Sequence, residues 1–423
     1  MGIPELISPG GSYNKALVAA TYGADAVYLG VPFTSLRMRQ NKMKDFDILQ
    51  QTIDDLHLGK KAYLTMNIFP RNMDINIFEV IEKIARVADA IIFSDPGTFK
   101  LIRKYLPDIR LHLSTQANVL NHEAISFWYD LGVSRVVLAR ELTLKEIEQI
   151  KQKVPGMELE IFVHGAMCIA YSRCLMGEYF SGRDGNKGEC SHVCRYKFKV
   201  HLEEEKRPGK FFELGQDDDG TYMMSSKDLC TIERLELLPL VDGLKIERSK
   251  SELYVGVSTR AYRHVRDVLI EGTIVDENIK KLLYQMPHRP YWEFLFNKLK
   301  SMPDGEVSDE IWTDPNNEVN MSSPPVKALE YCGVLLPETI DIEGREYCRF
   351  VPKQKLLLGD TVWLASPSGQ KLVRIEFSDN GRSVTDHVNC NTKQAWICAD
   401  HPLQERDVIY RELEEGSNAD CCM

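Results

Sequence analysis

The chain has 423 residues, with 52 Lys and Arg against 62 Asp and Glu, a formal net charge of −10 and 43% apolar residues. This excludes a chiefly disordered chain and a protein that coats nucleic acid by bulk positive charge, and the length allows two or three domains of about 100–200 residues each. No run approaches the roughly 18 apolar residues of a membrane span, and the start Met1-Gly2-Ile3-Pro4-Glu5-Leu6 lacks the regions of a secretory signal, so a cytoplasmic protein with no membrane partner is expected.

From Leu6 to about Ile270 short β-branched runs alternate with segments of helical period. The alternation predicts strands at Leu6–Ser8, Ala26–Gly30, Lys61–Asn67, Ala90–Asp95, Arg110–Gln116, Arg135–Arg140, Glu158–His164 and Gly243–Glu247. Helices are expected over Asn14–Tyr22, Phe46–Leu58, Ile77–Val87, Gly97–Tyr105 and His122–Leu131, then from the capping box Thr143-Leu144-Lys145-Glu146, and over Asp228–Leu238 and Ser258–Leu269. Strand then helix, eight times over, is the pattern of a (β/α)8 TIM-like barrel occupying residues 1–275, with a doubly wound open sheet as the competing arrangement. In a barrel the strand ends meet at one rim, which would gather Gly30, Asn67, Asp95, Gln116, Arg140, His164 and Glu247.

Strands seven and eight are separated by far more chain than a βα unit uses, and the insertion, residues 165–224, together with Cys230 beyond it, carries five of the eleven cysteines. Its stretch from Glu203-Glu204-Glu205 to Asp217-Asp218-Asp219 reads as solvated and acidic. A helical segment and linker are expected over residues 276–325, with the helix at Glu277–Leu299 and a polar stretch at Asp304–Pro325. A small β-barrel is expected over 326–413, with strands at Ala328–Leu335, Cys348–Val351, Asp360–Ala365 and Leu372–Phe377, followed by a flexible tail, 414–423.

An export signal is missing, so the cysteines fit a disulfide framework poorly and raise metal binding instead. Cys168, Cys174, Cys190 and Cys194 form C-x5-C-x15-C-x3-C, with Cys230 further on. Soft thiolates select zinc or iron–sulfur clusters, and the spacing alone leaves both open beside free cysteines. Three basic sets offer contacts to an anion: Arg173, Arg183, Lys187, Arg195, Lys197 and Lys199 in the insertion; Arg37, Arg39, Lys42 and Lys44 after strand two; and Arg260, Arg263 and Arg266 at the opening of the last helix. Each set is equally compatible with a solvated face.

The block Ile161-Phe162-Val163-His164-Gly165-Ala166-Met167-Cys168, with Arg183-Asp184-Gly185-Asn186-Lys187-Gly188 and Cys190-Ser191-His192-Val193-Cys194-Arg195, resembles the signature of the collagenase-like peptidase family. Tyr28-Leu29-Gly30, Ser35-Leu36-Arg37, Ser94-Asp95-Pro96-Gly97, His112-Leu113-Ser114-Thr115-Gln116, Ser226-Lys227-Asp228-Leu229 and Lys245-Ile246-Glu247 extend the likeness over about Pro4 to Leu413. Within the family it is nearest to the members that take part in prephenate-dependent hydroxylation of the tRNA wobble uridine to 5-hydroxyuridine. The resemblance implies a [4Fe–4S] cluster on Cys168, Cys174, Cys190 and Cys194, with Cys230 as an alternative fourth ligand, and prephenate as co-substrate. It also implies tRNA as partner, with the small barrel and the basic loops holding it, and a protein partner in some members.

On that basis Arg37, Gln116, Arg140 and Arg248 are candidates to bind a small dicarboxylate, through bidentate pairing for the arginines, and His164 and Glu247 to transfer protons. Peptidase activity is the alternative the family name suggests, yet no Gly-x-Ser-x-Gly elbow or His-Glu-x-x-His helix is present. A non-catalytic adaptor is a further alternative, because glycines usual in the family are missing at Tyr171-Ser172-Arg173-Cys174 and Lys245-Ile246-Glu247-Arg248-Ser249, and Arg289-Pro290-Tyr291-Trp292-Glu293-Phe294 also departs from the usual pattern.

Overall fold

The computed structural model describes residues 2–36, 45–72, 87–140, 142–166, 228–234, 239–247, 250–288, 291–292 and 328–413, together with the backbone of short strands between 202 and 222. In chain order the first domain consists of β1 (Glu5–Pro9), α1 (Tyr13–Thr21), β2 (Ala26–Gly30), α2 (Phe46–Leu56), β3 (Lys61–Met66), β4 (Ala90–Phe93), α3 (Pro96–Tyr105), β5 (Arg110–Leu113), α4 (His122–Asp130), β6 (Arg135–Val137), α5 (Leu144–Lys153) and β7 (Glu158–Ala166). It continues with β8 (Asp228–Cys230), β9 (Gly243–Ile246), α6 (Glu252–Glu271), α7 (Glu277–Gln285) and β10 (Tyr291–Trp292). Strands β1 to β7 pair in parallel in sequence order, and β9 pairs in parallel with both β7 and β1, which closes an eight-stranded (β/α) barrel. The open doubly wound sheet is thereby excluded.

Local chemistry starts the helices where the sequence offers caps. The Asp95 carboxylate accepts from Thr98 N at 2.8 Å with Pro96 in the first turn, and Thr143 and Glu146 form the reciprocal capping box of α5. Each such cap contributes about 1 kcal/mol. Three expected helices differ. Asp228 opens a strand, not a helix: β7 runs nine residues, past the end of its barrel neighbour, and the antiparallel strand β8 satisfies the overhanging backbone at His164, Gly165 and Ala166. α7 stops at Gln285 because Met286 precedes Pro287, whose ring drives it to an extended conformation (ψ 149°). α6 begins at Glu252, six residues before the expected Ser258, on the Ser251 cap. All but Val87 of the expected helix Ile77–Val87 lies outside the described residues, as do the polar stretch Asp304–Pro325 and the tail.

Inside the barrel, registered alternate strands stack side chains in layers. Ile7, Ala26, Tyr28, Tyr63, Ala90 and Ile92 form one interior cluster, and Val137, Phe162 and Leu229 another. The end where the strands begin is closed by ion pairs. Glu5 accepts from Lys61 at 2.7 Å, from the Tyr63 hydroxyl at 2.6 Å and from Arg135 at 2.7 Å; Arg135 also meets Glu158 at 2.8 Å and Glu160 at 3.3 Å. Burial opposes ionisation of Glu5, but the Arg135 charge and the hydrogen bonds prevail and hold its carboxyl below the usual range.

The second domain is a closed six-stranded antiparallel barrel of β11 (Leu329–Ile342), β12 (Arg345–Pro352), β13 (Thr361–Ser366), β14 (Gly369–Ser378), β15 (Ala395–Ala399) and β16 (Val408–Glu412), in the order β11-β12-β15-β14-β13-β16. Period-two alternation fills its core with Val362, Leu364, Val373, Ile375, Phe377 and Ile397. The hairpin between β11 and β12 turns at Glu343 and Gly344, both at positive φ (55° and 82°). This domain docks on the outer helices of the first: the Tyr22 hydroxyl donates to Ala365 O at 2.6 Å, and Arg406 donates to Asn14 Oδ1 at 3.1 Å.

Candidate active site at the barrel mouth

The strands end around a polar mouth. β6 gives out at Val137, but Leu138 N still donates to Glu160 O at 2.8 Å, so the chain stays beside β7 and delivers Arg140 to the rim. There Nη2 of Arg140 pairs with Oε2 of Glu247, the residue that follows β9. The side chains are 10% and 18% exposed, so the pair is largely desolvated yet reachable. The guanidinium carbon lies 3.9 Å from the centre of the Phe162 ring, and Nε of Arg140 is buried and meets no acceptor among the described residues. A second cation approaches the same ring from deeper in the barrel. Lys245 Nζ lies 5.8 Å from the Phe162 centroid and 4.6 Å from that of Tyr28, and it donates to Glu160 at 2.7 Å. Phe162 thus carries two cations, each with its own carboxylate.

Gly165 makes the placement of Glu247 possible. It sits at φ 111°, and a Cβ there would collide with the Glu247 carbonyl oxygen. Glu247 N donates to His164 O at 2.7 Å, which fixes the start of the loop after β9 against β7.

The expected rim residues separate into three groups. Arg140 and Glu247 come together. His164 does not join them, because the register between β7 and β9 shifts at Lys245/Ile246 so that His164 lies opposite Ile246. This bulge turns its fully buried ring toward α6, within 5.7 Å of Tyr254, 5.5 Å of Tyr262 and 5.5 Å of Tyr291. Cys230 follows it there, 3.8 Å from the Tyr262 hydroxyl and 5% exposed. Gln116 is half-buried on the short 3-10 turn Thr115–Ala117 beyond β5, with its backbone N–H 3.4 Å from Ser114 Oγ. Asp95 is occupied as a helix cap, and Asn67 accepts from Leu36 N at 3.1 Å.

Two residues of the third basic set are not free for an anion. Arg263 and Arg266 lie in the middle of α6, both pair with Asp25 and Asp267, and Arg266 is 3% exposed. The small barrel carries ten Lys and Arg against thirteen Asp and Glu over residues 328–413, so bulk charge gives it no attraction for phosphate. Arg37, Arg248, Cys168, Cys174, Cys190 and Cys194 lie outside the described residues. Among the described residues no three His, Cys, Asp or Glu side chains stand where they would hold a metal ion. No helix among them is long and apolar enough to cross a membrane.

Phe162 and Lys245 were not singled out as site residues from sequence, although both stand in quoted blocks and at alternate strand positions that face inward. A lysine inside a barrel strand was itself the signal, since such a charge needs a buried partner.

The family model of peptidase family U32 matches residues 11–304. The chain is 39% identical to tRNA hydroxylation protein P of Escherichia coli over 334 residues, 69% of this chain and 74% of that one. It is 34% identical to tRNA hydroxylation protein P of Haemophilus influenzae over an alignment of 440 positions, gaps included, that covers 90% of each chain. It is also 30% identical to a collagenase of Porphyromonas gingivalis over 309 residues, 68% of this chain and 72% of that one. With this match over more than half its length, the chain belongs to peptidase family U32.

Proposed function

We propose that the protein is a tRNA-modifying enzyme that hydroxylates the anticodon wobble uridine to 5-hydroxyuridine, using prephenate as co-substrate and a [4Fe–4S] cluster. Likeness to tRNA hydroxylation proteins over as much as 90% of both chains supports the RNA substrate. The observation that supports the co-substrate is Arg140: a desolvated guanidinium at the barrel mouth, stacked on Phe162, whose Nε meets no acceptor among the described residues. A planar fork of this kind takes a carboxylate in two parallel hydrogen bonds.

In the mechanism that follows, a carboxylate of the dicarboxylate replaces Glu247 on Arg140. Glu247, no longer paired with Arg140, then stands at the mouth as the candidate proton acceptor. Lys245 and Glu160 below Phe162 keep the floor of the mouth polar but charge-balanced, and the Phe162 ring shields Arg140 from below. The cluster ligands would be Cys168, Cys174, Cys190 and Cys194, with Cys230 as the alternative fourth. The donor set is four thiols within 27 residues, and soft thiolates suit iron–sulfur centres. β7 ends at Ala166, two residues before Cys168 in sequence. When bound, the cluster supplies redox or Lewis-acid chemistry.

The named collagenase relative favours a second reading, peptidase activity. The two are separated by nucleoside analysis of tRNA from a deletion strain. Loss of 5-hydroxyuridine supports the hydroxylase, whereas unchanged wobble modification together with lost gelatin cleavage supports the peptidase. An adaptor working with a partner enzyme is distinguished by the purified chain, which would then bind tRNA without modifying it.

A further inference from the structure

Between β2 and the basic stretch lies a turn that holds a large aromatic residue in an unfavourable conformation. Phe33 has φ 65°, a region that bulky side chains rarely occupy, and it is 53% exposed. The turn Val31-Pro32-Phe33-Thr34 is closed by Thr34 N donating to Val31 O at 3.3 Å. Proline in the second position followed by a left-handed third is the order of a type II turn, and that third position ordinarily belongs to Gly or Asn. An aromatic residue there costs stability and exposes apolar surface at once.

The turn is anchored. Thr65 Oγ1 donates to Ser35 Oγ at 3.0 Å, Ile68 N to Thr34 O at 3.2 Å, and Leu36 N to Asn67 Oδ1 at 3.1 Å. Thr65 is the last but one residue of β3, opposite Gly30 at the end of β2, so these bonds fasten the turn to the rim that also carries Arg140 and Glu247. The neighbouring Phe46 ring is 6.5 Å away, centre to centre, and leaves more than half of Phe33 uncovered. Phe127, comparably exposed at 59%, lies on the outer helix α4 instead. In the sequence Phe33 is followed by Arg37, Arg39, Lys42 and Lys44, with no acidic residue from Ser35 to Lys44.

We propose that Phe33 is a stacking platform for an unpaired base of the RNA, presented rigidly at the barrel mouth. The inference rests on the RNA-modifying function proposed above. An enzyme that reacts with a base must take it out of its stack, and an exposed aromatic face replaces the lost stacking in a sequence-tolerant way. Strained, rigid presentation spares the entropy of ordering the side chain on binding. In sequence the platform is followed by Arg37, Arg39, Lys42 and Lys44, residue types that contact phosphate.

The test uses the full chain and an unmodified anticodon stem-loop with 2-aminopurine in the loop. Phe33→Gly removes the ring and relieves the left-handed strain, so Tm is expected to stay level or rise while affinity falls roughly tenfold and fluorescence quenching is lost. Phe33→Trp is expected to keep both affinity and quenching. The salt dependence of binding should be unchanged in Phe33→Gly, because no phosphate contact is removed. Wild-type affinity and quenching in Phe33→Gly would overturn the proposal while leaving the RNA function intact. A shallower salt dependence would also overturn it, showing that the residue shapes the basic segment. If the wild-type chain itself fails to bind the stem-loop, the RNA function fails first.

Discussion

The Arg140 guanidinium rests on the Phe162 ring at 3.9 Å while its Nη2 is held by Glu247. The pair is therefore positioned by an apolar surface and neutralised by a carboxylate, which the proposed dicarboxylate would replace. Arg140→Lys keeps the charge but loses the fork, and KM for prephenate should rise by about tenfold or more with a smaller change in kcat. Glu247→Gln should do the reverse, lowering kcat by about a hundredfold or more while KM holds or falls. Steady-state kinetics on tRNA transcripts separates the two. A KM effect from Glu247→Gln as large as that from Arg140→Lys would remove the distinction between clamp and base.

Gly165→Ala tests the close approach of β7 to Glu247. The added methyl meets the Glu247 carbonyl and the backbone must leave φ 111°. Destabilisation of at least about 2 kcal/mol is expected, with loss of activity. Thermal unfolding and turnover measured together would contradict this if both were unchanged.

His112 is fully buried beside Tyr63, with their rings 4.8 Å apart, and neither of its nitrogens meets a hydrogen-bond partner among the described residues. Burial, and then the charges of Arg135, Arg110, Lys245 and Lys61, hold its pKa well below the ordinary value. The unfolded chain therefore takes up a proton that the folded chain refuses. Stability is full above about pH 6.5 and declines below it by up to about 1.4 kcal/mol per pH unit. Urea titrations of His112→Gln between pH 7 and 5 should show a flatter decline than wild type; an identical slope would contradict it.

Asp407 behaves oppositely. It is buried at 1% exposure, its Oδ1 meets no partner among the described residues, and desolvation raises its pKa to about 7. The folded state holds its proton more tightly than the unfolded state, so this contribution is present below about pH 4 and is lost as pH rises through 7. Asp407→Asn should raise Tm at pH 8 by at least about 2 °C and change it little at pH 4. A lower Tm at pH 8 would show that the ionised carboxylate is stabilising.

Much of the barrel was legible because period-two runs and capping residues are local signals. All eight strands lie where the alternation put them, within a few residues, and the Thr143 cap opens α5. The mouth was legible only in part. Arg140 and Glu247 meet as strand-end logic suggests, but the bulge at Lys245/Ile246 turns His164 away, and a bulge leaves no period of its own in the sequence. Asp228 departs from its helical pattern because its strand partner, the overhang of β7, is more than sixty residues away and leaves no local signal. Asp95 stands at a strand end by position and caps a helix by chemistry, and Pro96-Gly97 after it was the available clue.

The most direct measurement is the 5-hydroxyuridine content of tRNA from a deletion strain complemented with the wild-type chain or with Arg140→Met. Wild type is predicted to restore the nucleoside, and Arg140→Met, folded and expressed to the same level, is predicted to leave it absent. Full restoration by Arg140→Met, or none by wild type, would contradict a carboxylate clamp at the barrel mouth driving tRNA hydroxylation.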